Sequence, residues 1–136
     1  MSVDPERALA AALAAAAKAA PAVAAIVGAR VHVDPPRHPT YPCVLVGRQE
    51  SRPFDPDDGA GGLEHLVSVT CASRFGGVEE VRALTAAVRT ALHHAAPAVE
   101  GRRLVSLRVT YADVFQGADR ELALGVLRVR AVTENG

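Results

Sequence analysis

Between residues 63 and 133 the apolar positions change period twice, and that double change restricts the fold more than any other feature of the chain. Leu63, His65, Val67, Val69 and Cys71 alternate with Leu66, Ser68, Thr70 and Ala72, the period-two pattern of a strand with two unlike faces. Gly76-Gly77 turns the chain. Val81, Leu84, Val88, Ala91 and Leu92 then recur at helical spacing, with Glu79 and Glu80 early and Arg89 late, charges that suit the helix dipole. Pro97 and Gly101 end this region. Alternation returns at residues 104–115, where Val105, Leu107, Val109, Tyr111 and Phe115 oppose Ser106, Arg108 and Thr110. A turn at residues 116–119 leads to a return strand at 122–132, with Leu127, Val129 and Ala131 opposing Arg128 and Arg130. A strand, one amphipathic helix and a long hairpin point to an antiparallel sheet carrying helices on one face.

The upstream half supplies the remaining elements. Asp4-Pro5-Glu6-Arg7 is a helix start: Asp4 caps, Pro5 suits the first helical position and Glu6 complements the dipole. The Ala-rich run at residues 8–20 continues with the strongest helix former, and Leu9 and Leu13, four apart, mark its buried stripe. Pro21 restarts a short helix with Val23, Ile26 and Val27 as its apolar side, and Gly28 ends it. Residues 30–33 are a short strand. Residues 34–42 hold four prolines and form an extended connector. The apolar run at residues 43–47 fits a central strand, which the polar residues 48–52 extend out of the body. Pro53, Pro56, Gly59, Gly61 and Gly62, with Asp55, Asp57 and Asp58, make residues 53–62 a mobile loop between two strands. The expectation is one α+β domain over residues 1–136, with four to five strands in the order α-α-β-β-β-α-β-β and helices on one face.

Bulk composition narrows the function classes. Lys and Arg total 15, as do Asp and Glu, so the formal charge is zero. A general polyanion binder shows a basic excess, and near-zero charge favours self-association. Cys43 and Cys71 both lie in apolar strand-like runs and are expected as buried free thiols. The Ala-rich run follows acids rather than a basic start, is interrupted by Lys18 and Pro21, and is too weakly apolar for a bilayer span. A cytosolic product with no membrane partner is expected.

Reaction chemistry is sparse in the pattern. His93 and His94 are neighbours on a helix, so they point about 100° apart rather than sharing a face as a zinc pair four apart would. They suit the helix C-terminal dipole. Asp55, Asp57 and Asp58 lack the alternation, central glycine and final glutamate of a calcium loop. Gly59-Ala60-Gly61-Gly62 is not followed by Lys-Ser/Thr and precedes a strand, unlike a phosphate cradle. Neither cysteine has an identifiable base partner, and Ser68 and Ser106 lie mid-strand, outside any nucleophile elbow. No catalytic residue, cofactor or metal is expected. Arg102, Arg103, Arg108, Arg128 and Arg130 gather in the last two strands, either as the solvent face of a sheet or as a positive surface toward DNA or an acidic partner.

Taken in order, several segments resemble the bacteriophage tail terminator, or tail-completion, family of siphophages and gene transfer agents. They are the Ala-rich helix leading to Ala22-Val23-Ala24-Ala25-Ile26-Val27-Gly28-Ala29-Arg30-Val31, and the Pro-rich connector before Tyr41-Pro42-Cys43-Val44-Leu45-Val46-Gly47. Glu64-His65 then opens a strand ending in Ser73-Arg74, before Gly76-Gly77 and a helix to Ala91-Leu92-His93. Leu104-Val105-Ser106-Leu107-Arg108-Val109 and Gly125-Val126-Leu127-Arg128-Val129-Arg130-Ala131 complete the series. The resemblance implies a structural protein without catalytic residues that forms a ring, typically a homo-hexamer. Such a ring caps the tail tube, stops its polymerisation and joins the tail to the head connector or stopper protein. DNA passes through its channel without sequence-specific binding. It implies assembly in the host cytoplasm and residence at the head–tail junction.

On this reading Phe54, Asp55, Asp57 and Asp58 are expected to contact the tube, an exposed aromatic in an acidic loop being a reasonable anchor. Arg108, Arg128 and Arg130 are expected at a subunit contact or the channel. Two rival readings stand beside it. One is a small ligand-binding or enzyme domain using His65, Cys71 and Asp113. The other is a nucleic-acid-binding module using the strand arginines.

Overall fold

A computed structural model of the chain describes residues 4–54, 59, 61–74, 77–118 and 120–136. Helix α1 spans Pro5–Ala19, and the Asp4 carboxylate accepts a 3.0 Å hydrogen bond from the Arg7 amide at its start. Leu9 and Leu13 are fully buried, and the alanines at 10, 12, 14 and 17 let the helix pack closely. Helix α2, Pro21–Val27, leaves α1 at 86° after the break at Ala20. Gly28, at φ 60°, ends it as expected.

Five strands follow: β1 Val31–His32, β2 Cys43–Pro53, β3 Leu63–Ser73, β4 Arg102–Gln116 and β5 Ala123–Asn135, with helix α3, Glu79–Leu92, between β3 and β4. The predicted element order is the observed one. The sheet runs β1-β2-β3-β5-β4, and every neighbouring pair is antiparallel except β1 and β2, which are parallel. The sheet is therefore mixed. The α3 crossover joins β3 to a parallel β4 one place away, and β5 folds back into the vacant place. The apolar run at 43–47 lies in an interior strand, β2, paired on both sides at Val44 and Leu45. The two-residue β1 lies on its outer side, and β3 occupies the middle of the sheet.

The core lies between one face of the sheet and the helices. Val67, Val69, Cys71, Leu127, Val129 and Ala131 meet Leu9, Leu13, Val81, Leu84, Val88 and Leu92, all essentially inaccessible to solvent. Each such leucine contributes roughly 1.5–3 kcal/mol by leaving water. Helix α3 approaches β5 closely at Gly125, where a Cβ would lie 1.9 Å from the Thr85 hydroxyl oxygen. Cys43 and Cys71 are buried free thiols.

Two irregularities in β4 overturn the predicted face assignment. The register shifts between Leu104 and Ser106, and again between Val109 and Tyr111. Each shift inserts one residue, so the alternation reverses sense. Val105 is left 51% exposed while Leu107 and Val109 are buried, and Tyr111 and Phe115 emerge on the opposite face, 46% and 39% exposed. A matching irregularity lies in β2 between Val46 and Gln49. Beyond it β2 continues to Pro53, and the Phe54 amide bonds the Gly62 carbonyl at 2.8 Å. The strand pair thus closes inside the segment expected as loop.

Candidate functional site: the helix-free face of the sheet

The sheet face away from the helices carries the polar members of the alternation. Arg108 and Arg130 are register partners across β4 and β5, and Arg128 pairs with Tyr111. All three arginines singled out in the sequence therefore share this face. Their roles differ. Arg130 donates to Glu64 at 2.7 Å, and Arg52 donates to the other oxygen of that carboxylate at 2.7 Å. These two bonds hold the Glu64 carboxyl below its ordinary range. The Arg130 guanidinium also lies 5.8 Å from the centre of the Phe54 ring, and that of Arg128 lies 4.9 Å from the Tyr111 ring. Arg108 is exposed. Phe54 is 42% exposed at the edge of this cluster. Asp55, Asp57 and Asp58 lie outside the described residues.

At mid-height the irregularities of β2 and β4 flank the two strands between them. A shallow trough of about 390 Å³ crosses the face there, lined by Arg48, Glu50, Leu66, Ser68, Tyr111 and Arg128 among others. Arg48, Arg52 and Glu64 belong to this surface, although the sequence reading gave them no role in a site. The signal was available in the alternation of β3, which puts Glu64 opposite His65.

A second polar cluster ties one end of the sheet together. Arg102 donates to the Thr133 hydroxyl oxygen through Nε at 3.2 Å and Nη2 at 3.0 Å, to Asn135 Oδ1 at 3.0 Å and to the Gly61 carbonyl at 2.9 Å. With two donors already on its oxygen, the buried Thr133 hydroxyl gives its own proton to His65 Nε2 at 2.8 Å. His65 is then neutral with its proton on Nδ1, which meets Ser51 Oγ at 2.7 Å, and the Ser51 hydroxyl donates to Glu6 at 3.1 Å. Every bond in the chain from guanidinium to carboxylate points the same way. Burial lowers the His65 pKa, Glu6 opposes that shift and Arg102 reinforces it. Ser51 therefore gives its proton to Glu6 and receives one from the imidazole, the reverse of what a nucleophile needs.

The rival ligand-site residues are not brought together. His65 and Cys71 share a face of β3 but are six residues apart, roughly 20 Å along a strand. Asp113 lies on the other face, opposite Val126. Burial drives the Cys71 thiol up to about 12, the neighbouring Thr85 hydroxyl pulling the other way. His93 does not act as a cation at the helix end. Its Nδ1 accepts the Val109 amide at 3.0 Å, and its pKa is lowered, first by desolvation and then by His94. Among the described residues no three His, Cys, Asp or Glu side chains are placed to hold a metal ion. Among the described residues no single helix is long and apolar enough to cross a membrane.

A subunit in the solved virion of a native gene transfer agent particle has the same fold. It superposes with a TM-score of 0.88 at 26% identity, covering 98% of this chain and 100% of that one. No curated protein sequence matches the chain. The pattern of the tail completion protein gp17 family runs through residues 11–134, over the helices, all five strands and the face just described, and the chain belongs to that family.

Proposed function

We propose that this chain is the tail terminator of a phage-like particle, a structural subunit that closes the finished tail tube. The observation that carries the reading is the correspondence, over the full length of both chains, with a subunit of the gene transfer agent virion. Six copies form a ring. One rim meets the last layer of the tube and ends its growth, the other meets the head connector or stopper protein, and DNA passes through the opening. The subunit is made in the host cytoplasm and ends at the head–tail junction. The work is steric, which agrees with the reversed serine–histidine pair and the scattered placement of His65, Cys71 and Asp113.

Within this reading, residues 53–62 reach the tube, with Phe54, Asp55, Asp57 and Asp58 as its contact. The Arg108, Arg128 and Arg130 face lines the channel or a subunit contact. Gene deletion tests the function directly. Particles made without the protein should carry tails of uncontrolled length, or heads and tails that fail to join, when viewed by electron microscopy. Tails of normal length joined to filled heads would refute it.

A further inference from the structure

Neighbouring copies in the ring have to meet somewhere, and the sheet edges show where. The first half of the β4 edge is covered by its own chain, since the Val109 amide donates to His93 and the Leu107 carbonyl accepts the His94 amide at 3.0 Å. On the other edge, β1 pairs with Val44 and Leu45, and farther along Ser51 is held to Glu6 of α1. Besides the outer side of β2 past Leu45, where Ser51 meets α1, two stretches of edge have no strand beside them among the described residues: β1 itself and the distal half of β4, residues 110–116. Bare edges of this kind are pairing templates.

These two stretches lie at the same level. Register partners run straight across the sheet from His32 through Leu45, Thr70 and Val126 to Asp113. The adjacent row runs from Val31 through Val44, Cys71 and Gly125 to Val114. Because β1 parallels β2 and the other three pairings are antiparallel, β4 runs opposite to β1. The Gly117 amide bonds the Leu122 carbonyl, and by parity the backbone groups of Ala112 and Val114 point away from β5. We infer that the distal half of β4 in one copy pairs antiparallel with β1 of the next, carrying the sheet from subunit to subunit. This rests on the ring reading.

The side chains suit that pairing. His32 and Asp113 occupy one row and the helix-free face, so an imidazole meets a carboxylate across the joint. Val33, the residue after β1, is 43% exposed and offers apolar surface beside the exposed Ala112. The occupant is therefore a second copy, and the contact is heterologous, as a closed ring requires.

A double variant tests the joint: His32→Cys with Asp113→Cys, in the full chain assembled into particles. On mild oxidation it should give a denaturing-gel ladder extending to six chains, while each single variant runs as one chain. Ala112→Pro, which removes an outward amide without touching the β5 ladder, should fold with an unchanged circular dichroism spectrum but lose the ring mass. A ring of six copies that forms no ladder, or that survives Ala112→Pro, overturns the edge pairing and leaves the ring intact as a reading. Particles with no ring of this protein at all would overturn the ring as well.

Discussion

At the scale of single residues, Gly125 and His65 show how little room the interior leaves. A methyl group at 125 would meet Thr85 at 1.9 Å, so helix α3 must move away from β5 to admit it. Gly125→Ala should cost about 1–3 kcal/mol in urea unfolding, and the double variant with Thr85→Ala should recover much of that loss, since the clash is with Thr85 itself. His65→Leu fills similar space but leaves the Thr133 proton and Ser51 without their partner. It should cost about 2 kcal/mol or more by the same measurement. Titration supplies a separate test. His65 is held neutral, with its pKa below the unfolded value near 6.5. The unfolded chain binds the proton first, so this contribution is complete above about pH 6.5 and is lost as pH falls toward the folded-state pKa. Glu64 acts in a lower window. Its bonds to Arg130 and Arg52 contribute fully above the ordinary glutamate range and are lost as pH drops below it. Stability measured from pH 7 to pH 5 should therefore decline less steeply in His65→Leu than in the parent protein.

At the scale of elements, much was legible because local signals agreed with one another. Asp4-Pro5 began a helix, Gly28 ended one, and the period changes after residues 73 and 92 gave β3, α3 and β4 in order. What the pattern hid was register. The extra residues at Val105 and Thr110 carry no sequence mark, yet each reverses the faces downstream, which is why Tyr111 and Phe115 were assigned to the wrong side. Parallel pairing of β1 was equally invisible, since two residues hold no directional pattern. The three arginines were legible as a group because strand parity alone aligns 128 with 130, and the hairpin brings 108 opposite them. Glu64 and Arg52 needed the fold, as they meet only through β2–β3 pairing. The close of the hairpin at Phe54 and Gly62 also refines the loop experiment. Replacing residues 55–60 by a short turn preserves the Phe54–Gly62 bond and the Pro53–Leu63 pair. The variant should melt near the parent temperature while its particles show uncapped tails; normal tails would remove the loop from the tube contact.

At the scale of the molecule, assembly is the quantity to measure. A ring of six should scatter light with a mass of roughly 85 kDa, six times the 14.1 kDa chain. In such a ring, five strands per copy joined edge to edge would make a band of thirty. At ~4.8 Å per strand this is about 145 Å around and at least about 45 Å across between backbones, a span that a particle reconstruction can check. Reversing charge with Arg108→Glu and Arg128→Glu should leave the fold in place, since Glu64 is held by Arg130 and Arg52 and by neither of these, and should impair ring formation or DNA passage. Unaltered assembly and transfer would exclude that face from both. The Arg102 fork has a further effect on how this body comes apart. Through Thr133 it reaches His65, Ser51 and Glu6, so segments from nearly every part of the chain are tied to one guanidinium. Fraying of that rim cannot proceed one strand at a time. In hydrogen exchange, amides near residues 63–65, 103–104 and 133–135 should open as a single unit, and Arg102→Lys, which keeps the charge but loses the fork, should let each strand end exchange on its own schedule.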